Sequence, residues 1–494
     1  MAALPETHDC EWRGEAERLK GELIAAQDRL GTIEQQLEKL QRHVFGKRSE
    51  KMPSVADELR RFNGAPSREQ TLNRRRENRQ RKAELPEREI KHEVPANERR
   101  CPKCGKTDLK KVGAGKKTVV YEYVPGHFEK QVHLQETLAC TCGECLVVAA
   151  APARPIEGGQ YGPGLIAHIV TSKCADSMPL YRLAGAYQRE GIPIARTTLG
   201  DLFHAAAREL TPLWDRLLAL IAQRRLVLAD ETPIRVLDKG KTRKGYLWTF
   251  RTARGSGENE LIGYCFSPTR SGDTPKKVLG GTQGYLMVDG YTGYNRVTLP
   301  EGRTRLGCWA HARRDVFDSL KTSPEAQELL DLIRDLYRVE HEAKASGILG
   351  TEAHSELRRE RSSKIIQDIE RWLAEQKKMH PPKSPLGEAI SYIEGQWPAL
   401  TRFLENARLP LDNNASEGAL RVPVLGRKNF LFVGHDEGGE RLAGLYSLVA
   451  TCKANGVNPQ AYLADVLVRM KSHPAKNLDD LLPHRWATAV ADSS

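Results

Sequence analysis

Two acidic residues follow apolar runs in the second half of the chain, where a carboxylate could bind a metal ion. Asp230 comes directly after Leu226–Ala229, and Asp289 comes directly after Tyr285–Val288. Because short apolar runs of this kind are typical of buried strands, we expect each carboxylate at the end of a strand. Asp at a strand end can equally well form a turn, so neither residue identifies a site alone.

A third acidic residue, Glu417, follows a segment that is rich in Asp and Asn. Asp412, Asn413 and Asn414 precede a helical pattern, which is a typical signal for a helix N-cap. Glu417 then lies in the first turns of that helix, and Arg421 lies four residues further on, on the same face. Two strand-end Asp residues and one helical Glu could converge on a pair of Mg²⁺ ions. Such a pair promotes phosphoryl displacement.

Cysteines form a second set of candidate metal ligands. The sequence contains Cys101-Pro-Lys-Cys104, and later Cys140, Cys142 and Cys145. Closely spaced cysteine pairs on either side of a loop are typical of a tetrahedral zinc–thiolate site. We predict Cys101, Cys104, Cys142 and Cys145 as ligands, because Cys142-x-x-Cys145 repeats the spacing of the first pair, and Cys140 is the alternate. Four thiolates leave no open position for catalysis, so the predicted zinc is structural.

Composition limits the class of protein. The 494 residues include 76 Lys and Arg against 64 Asp and Glu, for a formal charge of +12, and only ten Cys. The positive excess favours a polyanionic partner such as nucleic acid, although a basic soluble protein would show the same balance. Ten cysteines are too few for a disulfide scaffold. The apolar runs are too short to span a membrane, and the acidic first residues do not resemble a signal peptide, so we expect no membrane association.

The elements that would position these residues begin with a heptad pattern over residues 16–44. Apolar residues there are spaced alternately by three and four, which predicts a short coiled coil and hence a homo-oligomer. The alternative is an amphipathic helix packed on its own domain. The seam consists of Ala16, Leu19, Leu23, Ala26, Leu30, Ile33, Leu37, Leu40 and Val44.

A polar, basic segment and a helical region separate this pattern from the acids. Residues 51–98 are predicted to be a linker, in which Arg74, Arg75 and Arg76 could contact phosphate or could simply be solvated. Further on, a helix over Leu180–Glu190, a break at Gly191–Ile194 and a second helix to about Leu210 predict a helix-turn-helix. Thr197 or Thr198 would cap the second helix. Most such helix pairs are only packing units, so a DNA-reading role remains one of two interpretations.

The remaining sequence predicts a mixed α/β domain. Strand signals at Leu226–Asp230, Tyr246–Phe250, Leu261–Phe266 and Tyr285–Asp289 are followed by helical, charge-rich sequence. The division that we predict is 1–50 coiled coil, 51–98 linker, 99–152 zinc module, 155–222 helical DNA-binding-like region, 223–440 mixed α/β domain with the three acids and 441–494 helical tail.

Several long motifs follow one another in a fixed order along the chain. They are Phe45–Glu50, Ala229–Pro233, Asp289–Asn295, Cys308–Arg314, Asp412–Glu417, Gly426–Phe432 and Ala443–Pro459. Together with the zinc segment, these motifs resemble the large, TnpC-type DDE transposases of bacterial insertion sequence family sixty-six. The resemblance runs along nearly the whole chain.

The resemblance implies a ribonuclease H-like core in which Asp230, Asp289 and Glu417 bind Mg²⁺ or Mn²⁺. It also implies a helical insertion at about 320–405. The activity implied is cleavage of the element's terminal repeats and strand transfer into target DNA, in the bacterial cytoplasm and with accessory proteins of the same element. Cys308 and His311 resemble a Cys-x-x-His element, which we interpret as structural support near the active site.

Two features keep rival functions open. The family usually has Arg directly after the catalytic Glu, whereas this chain has Gly418. That loss of a cation favours, weakly, a non-catalytic DNA-binding protein derived from a transposase. A metal-dependent nuclease without strand transfer would carry the same three acids. Arg421, Arg427 and Lys428 are candidates for phosphate contact in all three cases.

Overall fold

The computed structural model describes most of the chain after residue 158. The described residues are 159–486 except 254–258 and 299–300, and, earlier, 18–23, 25–27, 29, 72, 73, 75–77, 80, 126, 128–139, 146–148 and 154–156. The chain divides into two compact units, Met1–Met52 with Val132–Ser494, and Pro53–Gln131. In the smaller unit, the described residues between 72 and 80 are helical and exposed. Among the described residues, no helix is both long and apolar enough to cross a membrane.

Helices make up most of the described part of the larger unit. The α-helices are α1 (Pro163–Cys174), α2 (Leu180–Arg189), α3 (Arg196–Ala222), α4 (Asp273–Leu279), α5 (Asn295–Thr298), α6 (Trp309–Ser319), α7 (Ala326–Ala345), α8 (Glu352–Leu357), α9 (Ser363–Met379), α10 (Pro385–Thr401), α11 (Asn414–Phe430), α12 (Asp436–Ala454) and α13 (Pro459–Arg469). Between α8 and α9 lies one π-helical turn, Arg358–Ser362.

The strands form two sheets. They are β1 (Thr137–Ala139), β2 (Leu146–Val148), β3 (Leu226–Asp238), β4 (Lys241–Thr252), β5 (Ile262–Ser267), β6 (Tyr285–Met287) and β7 (Thr304–Leu306). The pair β1–β2 is antiparallel, and the five-stranded sheet has the order β5-β4-β3-β6-β7. One half of it, β5-β4-β3, is antiparallel, whereas β3, β6 and β7 run parallel. The described chain is therefore mixed α/β, as the sequence predicted.

Strand β3 is longer than the sequence predicted, and Asp230 lies inside it rather than at its end. The hairpin with β4 continues to Asp238↔Lys241, where Lys239 and Gly240 both take positive φ angles. That conformation is typical of two-residue hairpin turns, whose twist matches the strands. Strand β6 pairs only with Leu226–Leu228, the first residues of β3. The apolar run at the start of β3 is therefore the part of the strand that has a neighbour on both sides, β4 and β6.

The second helix of the predicted helix-turn-helix also differs from the prediction. Helix α3 runs 27 residues, so it ends at Ala222 rather than near Leu210, and Thr197 and Thr198 lie inside it instead of capping it. Its N-cap is Ala195, without a side-chain cap bond. Its buried stripe continues through Leu213, Leu217 and Ile221 because the helix packs against β5 and α12. Helix α3 is therefore a core helix of the sheet domain.

Helix α12 covers the outer edge of the sheet. The Ser447 hydroxyl accepts the Tyr264 amide of β5 at 2.8 Å, and the Thr451 hydroxyl accepts the Ile262 amide at 3.1 Å. An edge strand leaves backbone groups unpaired, and these two hydroxyls satisfy some of them. The C-terminal helices thus complete the sheet domain.

Helices between β7 and α11 form a second part of the core. Trp309, Ile333 and Ile390 are fully buried there. A buried cation ties the segment together: the Arg358 guanidinium donates to Glu340 at 2.7 and 2.6 Å and also to three backbone carbonyls. A buried guanidinium is tolerated only when it is paired and hydrogen-bonded in this way.

Candidate active site

Strand register brings the first two acids together. The parallel pairing of β3 with β6 ends at Leu228↔Met287. Two residues further along each chain lie Asp230 and Asp289, so the two acids stand at the same level of the sheet. Neighbouring strands lie about 4.8 Å apart, so the two acids lie side by side at the level where β6 has ended next to β3. The sequence predicted this convergence only as a family feature, because register is a long-range property.

Helix α11 carries the third acid, Glu417, in its first turn. Asn413 precedes this helix as predicted, but its side chain makes no cap bond. Instead, the buried Asn413 amide donates to the Ala229 carbonyl at 2.8 Å, one residue before Asp230. The Asn413 backbone N–H donates to the Cys308 sulfur at 3.2 Å. The first bond ties the start of α11 to β3, and the second ties it to Cys308 at the start of α6.

A single open pocket of about 440 Å³ contains all three acids. Sequence reasoning missed Glu231, Arg270 and Arg314 among its lining residues, since none of them has a distinctive spacing. The lining consists of Asp230, Glu231, Thr232, Arg270, Asp289, His311, Arg314, Glu417, Leu420 and Val424.

The electrostatics of the pocket oppose the ionisation of Asp230. Burial and the negative charge of Glu231 raise the pKa of Asp230 to about 8, and Asp289 and Glu417 add to that effect. A hydrogen bond from the Glu231 amide to the Asp230 carboxylate, at 2.8 Å, opposes it in part. A buried carboxylate among like charges gains most from a bound cation, because the cation removes the repulsion.

Glu231 has fixed partners of its own. Its side chain is 2% exposed, and one oxygen accepts both Arg270 nitrogens, at 2.8 and 2.5 Å. The other oxygen accepts the Tyr294 hydroxyl at 2.6 Å. The Arg270 guanidinium also lies over the Tyr291 ring, 4.0 Å from its centre. Glu231 therefore holds Arg270 at the rim of the pocket, where a cation can meet phosphate.

His311 faces Glu417 from α6. Its Nδ1 atom lies 3.7 Å from the Glu417 Oε1 atom, and this buried nitrogen makes no hydrogen bond. Burial lowers the pKa of His311, and the charge of Arg314 lowers it further. The predicted Cys308-x-x-His311 pair thus divides its roles: Cys308 supports Asn413, and His311 lines the pocket.

The donor set suits a hard divalent cation, since carboxylate oxygens are the ligands that Mg²⁺ and Mn²⁺ prefer. Within the described ranges, however, no group of three or more His, Cys, Asp or Glu side chains is arranged to hold an ion. The acids share one pocket and repel one another, so their side chains would have to draw together around a cation. The carboxylate side chains are of the type that binds a divalent metal ion. In this structure, however, they are not arranged around a common ion position.

The predicted phosphate-binding residues have different environments. Arg421 and Lys428 are exposed on α11, but the Arg427 guanidinium bonds to the Thr232 hydroxyl and the Pro233 carbonyl of β3. Arg75 and Arg76 are exposed and helical, whereas Arg74 lies outside the described residues. All five predicted zinc-site cysteines, Cys101, Cys104, Cys140, Cys142 and Cys145, also lie outside them.

Comparisons with known proteins identify the family of the chain. Residues 158–441 match the family described as "Transposase IS66 family", residues 447–484 match the "IS66 C-terminal element", and residues 98–143 match the "zinc-finger binding domain of transposase IS66". The uncharacterized protein y4qI of Sinorhizobium fredii is 33% identical over 95% of this chain and 91% of its own. The uncharacterized protein y4jD of the same organism is 35% identical over 74% of each chain. By these matches, the chain belongs to the transposase IS66 family.

Proposed function

We propose that this chain is a DDE-type DNA transposase. It cleaves DNA at the ends of its insertion sequence and joins the freed ends to target DNA. The observation that carries the proposal is the shared register of Asp230 and Asp289, with the Glu417 helix tied to the same strand. Residues 223–440 would form a ribonuclease H-like core with a helical insertion. The mixed order β5-β4-β3-β6-β7 supports that assignment.

Two displacements at phosphorus make up the proposed reaction. In the first, water attacks the phosphodiester at the element end, the bond to the 3′ oxygen breaks, and a 3′-hydroxyl and a 5′-phosphate result. In the second, that 3′-hydroxyl attacks a target phosphodiester and releases a new 3′-hydroxyl. The nucleophile passes its proton to solvent in each step, and no covalent enzyme intermediate is needed. Both steps depend on positioning and charge neutralisation.

Each group in the pocket has a proposed role. Asp230, Asp289 and Glu417 would hold two divalent ions, Mg²⁺ or Mn²⁺. When bound, the ions would activate the nucleophile and stabilise the leaving oxygen. Arg270 would contact the phosphate from the rim, because its ion pair with Glu231 and its contact with Tyr291 fix its guanidinium. Arg421 and Lys428 would contact the DNA backbone farther along α11.

A cleavage and joining assay tests this proposal. The substrate is the DNA that flanks the gene, with Mg²⁺ or Mn²⁺, and the proteins are wild type, Asp230→Asn, Glu417→Gln and, as an exposed control, Asp201→Asn. Joined products that require metal, and that vanish in the first two variants only, are the expected result. Cut ends without joining would indicate a nuclease. Salt-sensitive DNA binding without cutting, even with the element's accessory proteins, would indicate a non-catalytic regulator.

A zinc module over residues 99–152 would contribute to recognition of the element ends. The matched zinc-finger segment includes Cys101, Cys104, Cys140 and Cys142 but ends two residues before Cys145. We expect one zinc ion per chain, lost in Cys101→Ser. Metal analysis of Cys140→Ser and Cys145→Ser separates the two ligand sets, because only the variant at a true ligand position releases zinc. Full zinc retention in Cys101→Ser would contradict the assignment.

A further inference from the structure

One face of α11 leads from the acid pocket to an apolar tip. Glu417, Arg421, Leu425 and Lys428 are spaced by three or four residues, so they share one face of the helix. The helix rises about 1.5 Å per residue, which places Lys428 roughly 16 Å beyond Glu417 along its axis. Leu425 is 52% exposed. This face thus presents two cations and an apolar side chain to solvent in line with the pocket.

The opposite face of α11 packs on the protein. Arg427 bonds to β3, and a Cβ atom placed on Gly426 would meet the Tyr446 hydroxyl of α12 at 2.5 Å. These contacts fix the rotation of the helix about its axis. The exposure of Arg421, Leu425 and Lys428 therefore follows from how α11 is held.

The tip itself is strained. Leu431 has φ 64° and ψ −49°, and it is the only large apolar residue with positive φ in the described part of the chain. Positive φ in a bulky residue is an outlier that costs free energy. Leu431 and the next residue, Phe432, are 63% and 40% exposed, so little burial offsets that cost.

Backbone bonds on both sides hold the turn in this conformation. The Leu431 amide donates to the Arg427 carbonyl at 3.1 Å, which ends the helix. Immediately after the tip, the Val433 amide donates to the Arg235 carbonyl of β3 at 2.9 Å, and Val433 accepts the Leu237 amide at 2.9 Å. A turn that only ended a helix would not need a bulky residue at positive φ, because Gly adopts positive φ without a steric penalty. Two exposed apolar side chains, Leu431 and Phe432, at this turn indicate a surface that binds another molecule.

We propose that Leu431 and Phe432 form a wedge that inserts between base pairs of the DNA held at the active site. This inference rests on the proposed function. Arg421 and Lys428 supply charge complementary to the backbone between the pocket and the wedge. Phe430 lies 13 positions beyond Glu417, or about 20 Å along the helix axis, which corresponds to roughly six base-pair steps of duplex at 3.4 Å. Leu and Phe are residues that proteins use to unstack a base step and bend DNA.

The test measures unstacking directly. Duplexes of the terminal 30 base pairs of the element carry 2-aminopurine at each adenine in turn, and binding is measured with Asp230→Asn protein, so that the DNA stays intact. We expect a several-fold fluorescence increase at one or two neighbouring positions. Added Leu431→Ala and Phe432→Ala substitutions should abolish the increase and lower affinity less than threefold. Leu349→Ala, at another exposed leucine, serves as the matched control.

A second variant separates this role from folding. Leu431→Gly should relieve the backbone strain, so the melting temperature should rise by about 2 °C. The same variant should lose the fluorescence increase, which no purely structural role would predict. Stabilisation with an unchanged fluorescence increase would overturn the wedge.

The remaining outcomes also decide the question. If the wild type joins DNA but no 2-aminopurine position responds, the wedge is wrong and the transposase stands. If the full-length protein neither binds nor cuts the element ends, both proposals fail. If the tip variants change the oligomeric state in light scattering and leave DNA distortion intact, the tip is a protein interface and the wedge is wrong.

Discussion

The ionised carboxylate of Asp230, which a metal ion would need, should destabilise the metal-free fold. Its pKa rises from the ordinary 3.8 to about 8, chiefly because the side chain is buried near other carboxylates. Well below pH 3.8, both the folded and the unfolded chain are protonated there, and no penalty exists. As the pH rises toward 8, only the unfolded chain ionises, so stability falls across this range. Above pH 8 the penalty stays constant.

The structure sets the size of that penalty. A shift of about four units corresponds to an upper limit near 6 kcal/mol. The side chain keeps some solvent access, which screens the repulsion, so we expect about 2–3 kcal/mol. Asp230→Asn should therefore stabilise the metal-free protein by that amount at pH 8 and by much less at pH 4, where the penalty has only begun to develop. A divalent cation that binds only the folded state should stabilise the wild type, by about 2.7 kcal/mol at one hundred times its Kd.

Urea unfolding at pH 4, 6 and 8, in EDTA or in Mg²⁺, provides the measurement. Asp201→Asn, at an exposed carboxylate of α3, is the matched control and should follow the wild type at every pH. The stabilisation by Mg²⁺ should shrink or disappear in Asp230→Asn. Equal stability of Asp230→Asn and wild type at pH 8 in EDTA would refute the reasoning about burial and repulsion. Equal Mg²⁺ stabilisation of both proteins would refute the metal assignment.

Three further predictions follow from other contacts. Asn413→Ala removes the bond to the Ala229 carbonyl and should lower the free energy of unfolding in urea by about 1–3 kcal/mol. Strand transfer should fall at least tenfold. Unchanged activity would show that the bond does not position Glu417. Gly418→Arg should strengthen DNA binding and steepen its salt dependence by about one unit, because a Cβ atom there meets nothing within 4 Å; an unchanged slope in salt titrations would contradict phosphate contact. Deletion of residues 16–44 should reduce the oligomer to a monomer in light scattering, and an unchanged mass would contradict the coiled coil.

Residue types and local spacing singled out the three acids that share one pocket. The sequence also predicted a mixed α/β chain and the start of α11 near Glu417, and the family resemblance pointed to the Cys308–His311 motif. Each prediction rests on a local signal: apolar runs, an Asn-rich helix start, or a short motif. The same local signals misplaced the strand end at Asp230 and the second helix at Leu210, because packing against β4 and against α12 extended both elements.

Tertiary structure alone decided which side chains meet. The sequence by itself determined the acids, the cysteine pairs and the basic balance, since these depend only on which residues the chain contains. The common level of Asp230 and Asp289 depends on the register of β3 and β6, and the Asn413–Ala229 bond joins residues 184 positions apart. The ion pair of Glu231 with Arg270 joins side chains 39 positions apart, and the strained Leu431 turn depends on backbone bonds with β3. No local pattern encodes such contacts, because their free energy arises only when the whole fold holds both partners in place.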